Sequence, residues 1–285
     1  LKTVNTWLQT RLEEPAGTFA HCMLITRKDG VKLGFTDHQY SFVINSVTYT
    51  PQQATDPSSL QSDSRASVDN MEIVGVLSDA GLAKNDILIG KFDNAKLDIF
   101  IVDYTNLPTT ATPGDTIWLK TMILGNTKIE DDIFRIECRS LADYLNKQIV
   151  ELTSPTCRAQ FGDSRCQKNL TGLQTVTTVS GFADLRNLTV TATGFSPNYF
   201  QYGKIEWLSG ALNGYIADIS TSTGSALTLY GKVPLAIGIG DSVRVTAGCN
   251  KLFDTCVGFA NAINFQGEPH VPGIDKWKSG FQQVK

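Results

Sequence analysis

Residues 173–179 read Leu-Gln-Thr-Val-Thr-Thr-Val, and five short runs of similar texture follow at 188–192, 204–208, 215–220, 226–230 and 242–246. Each is rich in β-branched or aromatic residues and too short to pay for its own burial as a helix. Gly210, Asn213-Gly214 and Thr223-Gly224 stand between runs, and these residues accept the backbone angles of tight turns. Short strands at this spacing predict a small barrel or sandwich over residues 173–248.

Upstream, strands also dominate. Residues 19–26 form an apolar run, Arg27-Lys28-Asp29-Gly30 supplies a hairpin turn, and Val31, Leu33 and Phe35 alternate beyond it. A second hairpin runs from 42–44 through Asn45-Ser46 to Val47, Tyr49 and Pro51. Further separate strands are predicted over 71–77, 97–103, 116–124, 127–130 and 133–138, with loops over 52–66 and 105–114. Helix is confined to short pieces. Val4, Trp7, Leu8 and Leu12 share one face before Pro15, residues 85–91 form one or two turns, and Ser140 caps a short helix. In that last helix Asp143 takes the capping-box position, and Leu141, Tyr144 and Leu145 form the buried face. The fold class is therefore mainly β, barrel or sandwich, with α+β character only at the edges. Four segments are expected: a β-rich region over 1–150, a cysteine-bearing connector over 151–172, the small β domain over 173–248, and a cysteine-bearing tail over 249–285 that completes a metal site.

Composition narrows the function classes. The chain has 285 residues, 41% of them apolar, enough for a sizeable core. The formal net charge of -3 comes from acidic and basic residues mixed along the length, which argues against a dedicated nucleic-acid binder. No apolar run reaches the roughly 20 residues of a membrane-spanning helix. The chain begins at Leu1 without methionine, and residues 3–14 are amphipathic rather than signal-like, so a soluble protein made in a cytosol is expected.

Six cysteines fall into two groups. Cys22 and Cys138 lie alone inside apolar strand patterns and read as small buried hydrophobes. His21 beside Cys22 suggests a catalytic pair only until strand geometry is considered, since neighbouring residues point to opposite faces. The other four form two pairs, Cys157 with Cys166 and Cys249 with Cys256, separated by eight and six residues. They flank the 173–248 region, and a compact domain usually brings its ends together, so the four thiols are expected to converge. A clip there closes a long loop, where chain entropy makes it most effective. Arg158, Arg165, Lys168 and Lys251 are expected to lower the thiol pKa values. Gly162 and Gly248 are expected to let backbone N–H groups approach sulfur. Structural zinc favours pairs about two to four residues apart, whereas wider loop spacings suit an iron–sulfur cluster. Two disulfides or free thiols remain open on spacing alone.

No hydrolase elbow, zinc-protease helix, P-loop or dinucleotide fingerprint is present, so no catalytic residue is named and an enzyme is not expected. His21, His38 and His270 read as structural, and Glu130-Asp131-Asp132 as a solvated turn.

The chain as a whole resembles the phage hub-protein family first described as a conserved hypothetical phage protein, which includes hub proteins of gene transfer agents. The resemblance rests on Ser154-Pro155-Thr156-Cys157-Arg158-Ala159, Gly162-Asp163, Arg165-Cys166, Gly240-Asp241, Gly248-Cys249-Asn250-Lys251, Thr255-Cys256, Phe259-Ala260-Asn261, Asn264-Phe265-Gln266-Gly267, Pro269-His270 and Pro272-Gly273. Gly90-Lys91-Phe92-Asp93 and residues 141–145 agree more loosely. Asn250 departs from the Asp more often found there. The family is similar to the iron–sulfur tail-tip protein of lambda-like phages. That resemblance implies Cys157, Cys166, Cys249 and Cys256 as ligands of a cluster, most naturally 4Fe-4S, with zinc as the second choice. It also implies a virion protein of the tail tip or baseplate, assembled in the host cytoplasm. Its partners would be further copies of itself in a trimeric ring, a distal tail protein on one face, and a larger tip or receptor-binding hub protein on the other. Two competing classes are an iron–sulfur redox protein, and a cell-wall-binding or hydrolytic tail module using Trp207, Tyr199 and Tyr202 as a sugar platform.

Overall fold

The structure, a computed structural model, describes residues 5–15, 17–51, 56–57, 70–76, 83–112, 114–130, 133–144, 150–192 and 194–271. Most of the 52–66 loop, Asp131-Asp132 of the acidic turn, Leu145, and Pro272-Gly273 lie outside the described residues. The chain divides into two compact units, Leu1–Lys147 and Gln148–Lys285.

In chain order the first unit holds α1 (Thr6–Leu12), β1 (Phe19–Thr26), β2 (Lys32–Thr36), β3 (Phe42–Ile44), β4 (Val47–Pro51) and β5 (Asp56–Pro57). It continues with β6 (Asn70–Val76), α2 (Lys84–Leu88), β7 (Lys96–Asp103), β8 (Ile117–Glu130) and β9 (Ile133–Ser140). Nine strands form one sheet in the order β3-β4-β2-β1-β7-β8-β9-β6-β5. The predicted hairpins close as their turn chemistry dictates. The Gly30 N–H donates to the Arg27 carbonyl at 3.1 Å, with Gly30 at φ 86. Asn45 and Ser46 both take positive φ, 52 and 60, as a two-residue hairpin turn requires. The alternation pattern did not show that β4 would then lie parallel to β2, with Gly34 opposite Tyr49. Gly34 makes that approach possible, because a Cβ there would meet the Thr48 carbonyl and the Tyr49 ring at 2.9 Å.

β7 is buried on both sides. Leu97 and Ile99 join Phe92, Met122, Leu124, Phe134 and Ile136 in one core cluster, while Phe100 and Val102 join Ala20, Cys22, Ile44 and Tyr49 in another. Cys22 and Cys138 are fully buried, and desolvation pushes each thiol up to about 12. His21 is exposed and meets Asp37 at 2.8 Å, on the face opposite Cys22. At the end of β7 the buried Asp103 carboxylate accepts hydrogen bonds from Arg11, Thr18 and Thr105, which anchors α1 to the sheet.

Three expectations need correction. Leu12 is 46% exposed, because a helix of seven residues docks through Leu8 alone among the fully buried positions. Residues 116–124 and 127–130 are not separate strands. β8 runs 14 residues, and the extra residue is absorbed as a bulge between Leu124 and Thr127 opposite β9. Ser140 does not cap a helix: it ends β9, its buried hydroxyl has no hydrogen-bond partner, and the turn after it, Leu141–Tyr144, is a 3-10 turn with Leu141 exposed.

The second unit holds β10 (Gln174–Phe182), β11 (Asn187–Val190), β12 (Lys204–Trp207), β13 (Ile216–Thr223), β14 (Ala226–Leu229), β15 (Ser242–Thr246) and α3 (Phe253–Gly258). The six strands close into a barrel in the order β10-β11-β14-β13-β12-β15. Val179, Leu188, Ile205, Trp207, Ile219, Leu229, Val243 and Val245 are buried. First and last strands pair antiparallel, with Gln174 opposite Thr246, and the Ala247 N–H donates to the Leu173 carbonyl at 2.8 Å. Entrance and exit of the barrel are thereby neighbours. A Cβ on Gly248, at the exit, would stand 1.5 Å from the Gln201 carbonyl oxygen. Gly248→Ala should therefore lower the stability of this unit by about 3 kcal/mol. Chemical denaturation of the full chain measures this, and an unchanged midpoint would mean that the 201–203 segment yields without cost.

Candidate metal centre

The paired barrel ends decide where the cysteines go. Cys166 precedes β10 by a short turn, in which the Leu173 N–H donates to the Leu170 carbonyl, and Cys249 follows β15 directly. Cys256 lies on α3, and Cys157 sits in the loop that enters the connector. All four line one small cavity, of about 10 Å³, together with Phe161, Phe259, Phe265, Lys251 and Asn261. All four are free thiols.

Each cysteine is held by a different local device. The Cys157 N–H donates to the Lys251 carbonyl at 2.9 Å, and the Arg158 N–H to the Gln266 carbonyl at 3.0 Å. Connector and tail thus run alongside each other, and the Gln266 N–H points back at the Cys157 sulfur at 3.4 Å. Gly267 permits this approach, since a Cβ there would lie 2.7 Å from the Thr156 carbonyl oxygen. The loop from Cys157 to Cys166 is folded by Asp163, whose carboxylate accepts the N–H groups of Gln160, Arg165 and Cys166 at 2.8, 3.0 and 2.7 Å. These bonds, led by Cys166, lower the Asp163 pKa. Near Cys249, Lys251 takes a positive φ of 66, and its ammonium donates to the Ala159 carbonyl. Asn261 is buried between Cys166 and Cys256 and bonds to both.

The thiol electrostatics differ from expectation. Burial raises the Cys249 pKa, opposed by the Lys251 backbone N–H and charge, and burial with the neighbouring thiols raises that of Cys256. Three of the four basic residues are occupied elsewhere. Arg158 forks onto Glu268 at 2.8 and 2.7 Å and reaches Glu151, Arg165 grips Glu151 at 2.5 and 2.9 Å, and Lys168 donates to the Phe259 carbonyl at 2.6 Å. Gly248 also plays a different part, because its N–H goes to the Tyr199 carbonyl rather than to sulfur. The N–H groups aimed at sulfur come from the Gln266 main chain and the Asn261 side chain. Gln266 and Asn261 carry no sequence signal of their own beyond the motif that contains them.

Among the described residues, no group of three or more His, Cys, Asp or Glu side chains is disposed to hold a single metal ion. The four thiols line one cavity without forming such a group. His270 packs edge-on against Phe253 at 6.0 Å. The sugar platform does not exist as drawn: Trp207 is fully buried in the barrel and Tyr199 stacks on Phe195, leaving Tyr202 as its exposed member.

Two family models match the chain. One is described as "Baseplate hub protein, N-terminal attachment domain" and covers residues 5–169; the other is "Phage conserved hypothetical protein BR0599", over residues 198–275. Among solved structures, a chain from the "Virion of native gene transfer agent (GTA) particle" is similar at 28% identity and a TM-score of 0.87. The match covers 98% of this chain and 97% of that one. Among curated proteins none matches significantly.

The rim of the centre yields a pH test. The Arg158 guanidinium, with the Ser154 N–H, holds the Glu268 carboxyl at about 2, against an ordinary 4.5. A depressed carboxyl contributes stability that is complete above about 4.5 and is lost as pH falls through about 2. Glu268→Gln should therefore melt below the wild type by a margin that is constant from neutral pH to about 5 and closes toward pH 2. A margin that stays the same throughout would assign the effect to packing instead of charge.

Proposed function

The chain belongs to the baseplate hub protein family, and from that premise we propose that it is a hub subunit whose Gln148–Lys285 unit is clamped by a four-cysteine iron–sulfur centre. It is a structural component of the tail or baseplate of a phage or gene-transfer-agent particle. Among the described residues no helix is long and apolar enough to cross a membrane.

One observation carries the proposed centre: Cys157, Cys166, Cys249 and Cys256, distant in sequence, line a single cavity, and N–H donors point at the sulfurs of two of them. Four thiols with N–H groups directed at sulfur are the donor set of an iron–sulfur cluster. A cluster bound there supplies a cross-link between connector and tail, and its binding energy counts as folding energy. Phe161, Phe259 and Phe265 keep the space apolar and limit water. Gln266 and Asn261 orient N–H groups toward the sulfurs of Cys157 and Cys166.

The hub reading further assigns three copies to a ring, one face toward a distal tail protein and the other toward a larger tip or receptor-binding protein. Family membership supports this, and light scattering of the purified chain should give the mass of three copies; a monomer at all concentrations would count against the ring.

Protein purified without oxygen should contain iron and acid-labile sulfide and show a broad visible band. Cys157→Ser or Cys249→Ser should lose most of the iron and melt earlier, with the Leu1–Lys147 unit unaffected. Unchanged iron and melting would sink the centre. Zinc without sulfide, or paired disulfides, would replace it while leaving membership of the baseplate intact.

A further inference from the structure

The hydrogen bonds around the thiols meet at a residue that is not itself a ligand. Asn261 is 7% exposed and follows Ala260, whose φ of 51 reverses the chain after α3 and directs Asn261 back toward the cavity. Its side-chain amide donates to the Cys166 carbonyl at 2.7 Å and reaches the Cys166 sulfur at 3.5 Å. Its main chain grips the other pair through a bond independent of the thiol proton: the Asn261 N–H donates to the Cys256 carbonyl at 3.0 Å. The free Cys256 thiol donates to the Asn261 carbonyl at 3.2 Å, a bond that a thiolate ligand gives up. The amide can face Cys166 in only one sense. Its oxygen accepts the Asn264 side-chain amide at 2.9 Å, so its NH₂ group is the end presented to the cysteine.

We propose that Asn261 is a positioning residue of the four-cysteine centre, holding Cys166 and Cys256 in register and presenting an N–H to the Cys166 sulfur. This rests on the reading of the four thiols as ligands. A carboxamide is the side chain that meets the requirement. An aspartate of the same shape would set an anionic oxygen against both the carbonyl and the sulfur of Cys166, and serine or alanine would leave the carbonyl unpaired in a buried place. A donor at sulfur offsets the negative charge that a thiolate ligand carries. Such outer contacts typically change metal affinity about 10–100-fold when removed, and they help set the reduction potential of a cluster.

The test uses the full chain, reconstituted with ferrous iron and sulfide without oxygen, as wild type, Asn261→Asp and Asn261→Ala. Circular dichroism confirms that the barrel is folded in each. Both variants should lose iron to a chelator at least tenfold more readily. Whatever cluster they retain should show a lower midpoint potential than the wild type, with the aspartate lowest. A purely structural role predicts faster iron loss with an unchanged potential, and that result overturns the proposal. So does a wild-type cluster matched by both variants in retention and potential, although the ligand reading then stands. If the wild type takes up neither iron nor sulfide, the ligand reading falls and this inference falls with it. If Asn261→Asp does not fold, Asn261→Ala carries the comparison alone.

Discussion

The pairing of β10 with β15 is the constraint on which the second unit depends. Five residue pairs from Gln174–Thr246 to Thr178–Ser242 join the first strand of the barrel to its last. Without that closure the barrel would have two open edges, and its entrance and exit would be separated. With it, Leu173 and Ala247 are hydrogen-bonded neighbours, and whatever precedes the one must lie beside whatever follows the other. The barrel core, with Trp207 and Ile219 fully enclosed, supplies the energy for that closure. Truncating one such side chain typically costs about 3–5 kcal/mol, far more than any of the exposed ion pairs on the rim.

The connector and tail are a different kind of structure. Across residues 150–172 and 249–271, only Ala159, Cys166, Cys256 and Asn261 are buried. So small a core cannot offset the ordering of some forty residues, each of which costs about 1–2 kcal/mol of backbone entropy. Hydrogen bonds between the two segments give direction, and the Arg158–Glu268 and Arg165–Glu151 pairs add charge complementarity at the edge. Pairs as exposed as these contribute about 0–1 kcal/mol apiece. The physical deficit sits where the four thiols gather, which is why a cross-link there has more effect than it would inside the barrel.

Much of this organisation was legible in the residues. Turn chemistry at Arg27–Gly30 and Asn45-Ser46, and the six runs between 173 and 246, led to the mainly β fold and to a small sandwich or barrel, of which the structure is the closed barrel. The gathering of Cys157, Cys166, Cys249 and Cys256 followed from the general tendency of domain ends to approach. What periodicity missed was non-local. The parallel pairing of β2 with β4 depends on the absent side chain of Gly34, and the continuity of β8 depends on a bulge that a local pattern reads as a break. The charges around the thiols are set non-locally as well. Arg158 and Arg165 are adjacent in sequence to cysteines, yet Glu268, some 110 residues away from Arg158, and Glu151 claim them.

Those distant ion pairs bear on how the centre would be held. Had the guanidinium groups faced the sulfurs, charge alone would have favoured thiolates, and the site could have been open to water. Instead burial raises the pKa of Cys249 and Cys256, and compensation falls to directed N–H groups and the single charge of Lys251. Directed donors act only at short range and only when the backbone that carries them is in place. A centre of this kind is assembled by the fold as much as it stabilises the fold. The arginines, released from the thiols, are free to lock connector to tail from outside. The two sets of interactions are thereby separated: N–H donors and the Lys251 charge act on the sulfurs within, and ion pairs act on the chain at the rim.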